Sequence, residues 1–175
     1  WRTAVATGRR LVVAWPMVML YRAAERAVAG QGASFTPDLS VAIAYTDNPG
    51  FGGPDVYAYA VEAREVLDLH NDSYALQHLA EALRPGDSEA VWDLVDEWTG
   101  SGLDSVYKIL EERPEVAEDL ADKQYDWISY DDDFPNREPV AAETWVKLSP
   151  GRMVGRVIWS RPHERGQGRK RRLMR

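Results

Sequence analysis

Few residues of this chain combine the type and the position to do chemistry. Arg22 falls at the polar end of an apolar run, Met17 to Ala23 (MVMLYRA). Ser34, Phe35 and Thr36 stand at the entry to a helix, two hydroxyls flanking an aromatic ring. Glu143 sits where a polar stretch gives way to Thr144–Leu148 (TWVKL), and Glu138 is its rival five residues earlier. An arginine offers a planar fork of donors suited to phosphate or ribose oxygens. A carboxylate stabilises positive charge that develops in a transition state. Each residue also has a plainer use: an ion pair at a strand end for Arg22, a helix cap for Thr36, core packing for Phe35, a solvated loop end for Glu143.

Other chemistries are poorly served. The chain has no cysteine, so disulfides, thiolate metal sites and cysteine nucleophiles are excluded. His70, His78 and His163 are scattered, with no metal-pair spacing and no recognisable Ser-His-Asp motif. There is no P-loop. Gly50-Phe51-Gly52-Gly53 follows a helix pattern rather than a strand, which is the wrong context for a dinucleotide fingerprint. Asp131-Asp132-Asp133 has the oxygen ligands a divalent cation takes, although a surface loop is the commoner use of such a run.

The elements that must position these residues follow from local signals. Leu11 to Leu20 (LVVAWPMVML) is apolar behind Arg9-Arg10 and superficially resembles a signal-peptide core. It is too short to span a membrane and is interrupted by Pro16, so it reads as strand with a break. Met17–Ala23 is the first core strand. Thr36, Pro37 and Asp38 read as a helix start, with Thr36 as cap, and Tyr45 closes that helix. Asp47–Pro54 is a loop of turn formers whose glycines permit movement. Strands are expected over Val56–Ala63 and Glu65–Leu69. Helices follow over Leu76–Leu83, Ser88–Trp98, Leu103–Glu112 and Glu115–Ala121. Trp127–Tyr130, Thr144–Leu148 and Met153–Ser160 read as strands, with Asp131–Pro139 as a polar loop. Strands, then helices, then strands again predict an α+β fold.

In this order the segments LYRA, SFTPDLSVAIAY, QYDWISYDD and AETWVKLSP resemble the ADP-ribosyltransferase family, notably its bacterial toxin and phage-encoded branch. The resemblance covers about residues 17–150. It implies a split β-sandwich with flanking helices, and NAD as co-substrate. It implies that Arg22 and Ala23 bind NAD, that Ser34 and Thr36 fix the positions of Arg22 and Glu143, and that Phe35 or Tyr45 stacks on the cationic nicotinamide ring. Glu143 would stabilise the oxocarbenium-like ribose as the nicotinamide bond breaks. The catalytic set implied is Arg22, Ser34 and Glu143. Arginine-modifying members carry Glu or Gln two residues before the last glutamate. Here that position is Ala141, so the resemblance points to another protein residue, a nucleic acid or water as acceptor. The small residue usual in the late Tyr-Asp-Gly motif is replaced in Tyr125-Asp126-Trp127.

The 175 residues suit one domain. Residues 161–175 carry seven Arg/Lys and one Glu, a net +6, whereas the preceding 160 carry 14 basic and 27 acidic side chains, a net −13. The expected division is a domain over 1–160 and a basic tail over 161–175 that is either solvated or held by an acidic partner. The expected protein is a toxin-like or effector-like mono-ADP-ribosyltransferase with a macromolecular target. It would be cytoplasmic or delivered into a target cell, and independent of membranes. A catalytically inactive binding or inhibitor protein on the same fold is the alternative from another class. An RNA phosphate-transfer enzyme is a third, poorly matched by the acidic body.

Overall fold

The computed structural model describes residues 3–7, 10–47, 52–70, 73–101, 106–133 and 141–162. The chain opens with an antiparallel hairpin of β1 (Thr3–Thr7) and β2 (Arg10–Ala14). Trp15 and Pro16 then break the extended run, as the proline requires, and β3 (Met17–Ala24) begins. Two short strands follow, β4 (Val28–Ala29) and β5 (Ser34–Phe35), then helix α1 (Leu39–Tyr45). Next come β6 (Asp55–Glu62) and β7 (Val66–Asp68). A helical block holds α2 (Ser73–Leu83), α3 (Ser88–Ser101), α4 (Val106–Glu112) and α5 (Pro114–Asp122). The chain then returns to strands: β8 (Trp127–Asp133), β9 (Ala141–Lys147), β10 (Met153–Val154) and β11 (Arg156–Ser160). The fold is α+β, with the helical block inserted between strands of one sheet.

Two sheets carry the structure. One has the order β11-β6-β3, all antiparallel. The other has the order β5-β9-β8-β7, with β7 parallel to β8 and the other neighbours antiparallel. The sheets are stitched at one point: Tyr21 N–H donates to the Thr36 carbonyl at 2.8 Å, and Thr36 N–H donates to the Tyr21 carbonyl at 3.0 Å. Paired residues share a face and alternate residues do not. The four-stranded sheet therefore has a helix side and an inner side. The helix side presents Leu67, Ile128, Tyr130, Val146 and Leu148 to the buried faces of α2–α5. The inner side presents Phe35, Trp127 and Trp145 to Leu20, Tyr59 and Val61 of the other sheet.

Several boundaries differ from the sequence reading for local reasons. Asp38, not Thr36, caps α1: its Oδ1 accepts from Ser40 N–H at 2.7 Å and Val41 N–H at 3.4 Å. Thr36 acts one step earlier, its Oγ1 accepting from Asp38 N–H at 3.1 Å. Gly155 divides the expected Met153–Ser160 strand in two. A Cβ there would lie 2.6 Å from the Tyr59 ring, so only glycine allows this approach. Asp131–Asp133 continues β8 instead of opening a loop. Residues 134–140, the start of the expected Leu103–Glu112 helix through residue 105, and the tail from residue 163 lie outside the described residues. Among the described residues no helix is long and apolar enough to cross a membrane.

Candidate functional site

Arg22 lies on β3 directly opposite Tyr57 of β6, so it faces the space between the two sheets. It is half-buried and donates to the Tyr59 hydroxyl. Among the described residues it forms no ion pair. Burial pushes the Tyr59 phenol up, and the adjacent guanidinium pulls against that shift. The Tyr59 hydroxyl itself donates to the Ala27 carbonyl at 3.0 Å. The arginine is thus held on an aromatic wall, and no described residue pairs with its charge.

Glu143 comes from β9, where Glu143, Trp145 and Lys147 share the inner side. It is exposed, and its Oε1 accepts from the Trp145 indole N–H at 2.6 Å. Trp145 is buried against Trp127, ring centroids 6.0 Å apart, so the indole is a fixed donor that orients the carboxylate. From Arg22 to Glu143 the inner side crosses β5. At a strand spacing of about 4.8 Å, β3 and β9 lie roughly 10 Å apart around β5.

The other expected site residues divide between the two sides of the sheet. Phe35 is on the inner side, opposite Trp145, but only 3% exposed. It packs edge-on against Tyr59 and Trp127 at centroid distances of 5.0 and 5.7 Å, so it forms the floor of the inner side. Ser34 pairs with Val146, a helix-side residue, and so points away from Arg22 and Glu143. Thr36 is buried at the stitch between sheets. Tyr45 is half-buried; burial first, then the Asp132 charge, raises its phenol, and it lies with Tyr130 on the helix side. Ala23 is buried beneath the 52–53 backbone, where a Cβ on Gly52 would come within 3.0 Å of its own Cβ. A Cβ on Gly53 would lie 2.0 Å from the Ala24 carbonyl carbon, so Gly53 serves close packing against β3. Residues 48–51 of the expected mobile loop lie outside the described residues.

A second group on the inner side was not legible from sequence. His70 follows β7, and its Nδ1 is 2.8 Å from Asp68 Oδ1 while its Nε2 is 3.0 Å from Asp131 Oδ1. Asp131 is the register partner of Glu143, and Ser129 that of both Asp68 and Trp145. Burial pulls the imidazole pKa down, but the hydrogen bonds to Asp68 and Asp131 outweigh it and hold His70 above its ordinary 6.5. The signal in the sequence was Asp68-Leu69-His70, a carboxylate two residues before a histidine at a strand end. Its other half, Asp131, is 61 residues away, and no local pattern links them. Within the acidic run, Asp131 and Asp132 are strand neighbours and so face opposite sides of the sheet. Among the described residues, no group of three or more His, Asp or Glu side chains is arranged to hold a metal.

Comparison of the chain with models of known families, with curated proteins and with solved structures finds no match.

Proposed function

We propose that the protein is an NAD-dependent mono-ADP-ribosyltransferase whose site is the inner side of the four-stranded sheet. The observation that carries this reading is the pairing of Arg22, which has no ion-pair partner among the described residues, and an oriented, exposed carboxylate, Glu143, on one side of strands joined through β5. The diphosphate and ribose oxygens of NAD suit the arginine fork. In the reaction the bond between ribose C1′ and the nicotinamide nitrogen breaks. The electron pair leaves with neutral nicotinamide, and the ribose becomes oxocarbenium-like. Glu143 stabilises that cation more than it stabilises neutral ribose, which is what lowers the barrier. Trp145 keeps one carboxylate oxygen engaged and directs the other outward.

The geometry narrows the set carried by the family resemblance. Ser34 and Tyr45 face the helix side, and Phe35 is floor. The reading therefore rests on Arg22 and Glu143, with Trp145 as a positioning residue. The placement of Ser34 is also what favours the second reading, a binding protein on the same scaffold that does not turn over NAD. Incubation with NAD and assay of free nicotinamide separates the two. The transferase reading expects release that Glu143→Ala abolishes. Absence of release by the unaltered chain, with water and macromolecular acceptors supplied, supports the binding protein.

A further inference from the structure

The inner side holds a second carboxylate that the reading above leaves without a task. Asp131 stands directly across from Glu143 on the adjacent strand, so their side chains share one side and emerge next to each other. Its side chain is 54% exposed. Its Oδ1 is engaged by His70 Nε2, and its Oδ2 meets no protein donor among the described residues. His70 is itself anchored from behind: Asp68 Oδ1 lies 2.8 Å from Nδ1 and accepts the His70 backbone N–H at 3.0 Å. With a carboxylate at each ring nitrogen, a protonated imidazole donates to both, and these hydrogen bonds hold the His70 pKa above its ordinary value. Asp68, His70 and Asp131 thus form a line ending at one outward oxygen beside Glu143.

We infer that Asp131 is the acceptor-side base of the transfer, and that the acceptor it serves is a hydroxyl group, with water as the default. This rests on the ADP-ribosyl transfer reading. Each of the two carboxylates has one oxygen engaged by a fixed donor, Trp145 on Glu143 and His70 on Asp131, and one oxygen outward. A guanidinium acceptor is best bound by a carboxylate with both oxygens free, as a two-pronged pair. Asp131 cannot offer that while His70 holds Oδ1. A single outward oxygen suits a single O–H. In the step, the acceptor oxygen bonds to ribose C1′ as the C1′–nicotinamide bond breaks. The electron pair leaves on nicotinamide, and the acceptor proton passes to Asp131 Oδ2. His70 is a positioning residue: it fixes which Asp131 oxygen is outward.

The test uses an acceptor that has no proton to lose. Nicotinamide release from NAD is measured on the full chain, with and without sodium azide, for the unaltered protein, Asp131→Asn, His70→Leu, His70→Gln and Glu143→Gln. Loss of a general base predicts a fall of about 100-fold or more for Asp131→Asn in water. Azide restores release in that variant, with ADP-ribosyl azide as product. His70→Leu falls less and is likewise rescued, while His70→Gln, which keeps a donor for Asp131, stays near the unaltered rate. Glu143→Gln falls and azide does not rescue it. Asp131→Asn at the unaltered rate, or slowed without azide rescue, overturns the assignment while leaving the transferase reading intact. No nicotinamide release by the unaltered chain, or full release by Glu143→Gln, overturns that reading and this inference with it.

Discussion

The two sides of the four-stranded sheet are built from the same strands to opposite ends. On the helix side, Leu67, Ile128, Val146 and Leu148 meet Leu79, Val116 and Leu120, all nearly inaccessible to solvent. This is aliphatic packing, and one polar exception is the Tyr130 hydroxyl, buried with no hydrogen-bond partner among the described residues. On the inner side the buried residues are rings, Phe35, Tyr59, Trp127 and Trp145, and charged groups stand along their border. Aromatic residues offer both apolar area and polar handles, so they can floor a site and still orient its charges. Tyr59 holds Arg22, and Trp145 holds Glu143. The alternation of a β-strand makes this division possible, because neighbours such as Asp131 and Asp132 serve opposite sides.

The difference can be broken by substitutions that act on one side only. The largest effects on stability are expected from cavities. Leu120→Ala on the helix side should cost about 2–5 kcal/mol, and Phe35→Ala on the inner side about 3–5 kcal/mol. Denaturant unfolding measures both. The second should also reduce NAD turnover at temperatures where the protein remains folded, since it removes the floor between Arg22 and Glu143. The first should not. Glu143→Gln should lower nicotinamide release by roughly 100-fold, about 2.7 kcal/mol of barrier, without moving the unfolding midpoint. A large stability loss in that variant would mean that Glu143 is structural.

Smaller effects sharpen the contrast. Tyr130→Phe removes a buried hydroxyl that no described residue hydrogen-bonds. It should leave stability unchanged or raise it by up to about 1 kcal/mol. A loss greater than about 1 kcal/mol would reveal a partner for that hydroxyl. The His70 clasp joining the ends of β7 and β8 should show a pH dependence. Because folding raises the histidine pKa, its contribution is fully present below the unfolded value of 6.5 and is lost as pH rises through the folded value. Unfolding of the unaltered protein and of His70→Gln should therefore differ by up to about 1 kcal/mol in mild acid and converge in alkaline solution. A difference that grew with pH would mean that the imidazole is held neutral. The smallest effect belongs to Ser34→Ala: within about 0.5 kcal/mol in stability and little change in turnover, because Ser34 faces Val146.

The long elements were legible because their signals are local. Pro16 broke the apolar run where a proline must. The run Val116, Ala117 and Leu120 gave α5 its buried stripe, with Pro114 at its first turn. Arg22 was expected at a strand end and Glu143 at a loop end, but β3 runs on to Ala24 and β9 begins at Ala141, so both lie within strands. What stayed hidden depends on register. Two-residue strands such as β5 carry no periodicity, yet β5 decides which side each of its residues faces, and it separates Ser34 from Phe35. The cap moved from Thr36 to Asp38 because two residues with capping side chains flank Pro37, and sequence alone does not rank them. His70 resembled an isolated histidine because its second carboxylate arrives from another strand.

In the proposed transferase, NAD binds the inner side. Titration of isotopically labelled protein with NAD, read by the indole and backbone N–H signals in nuclear magnetic resonance, tests it directly. Binding there shifts the Trp145 indole and residues around Arg22, Glu143 and Asp131, and leaves Ser34, Tyr45 and Tyr130 unmoved. Shifts confined to the helix side, or none at saturating NAD, would contradict it.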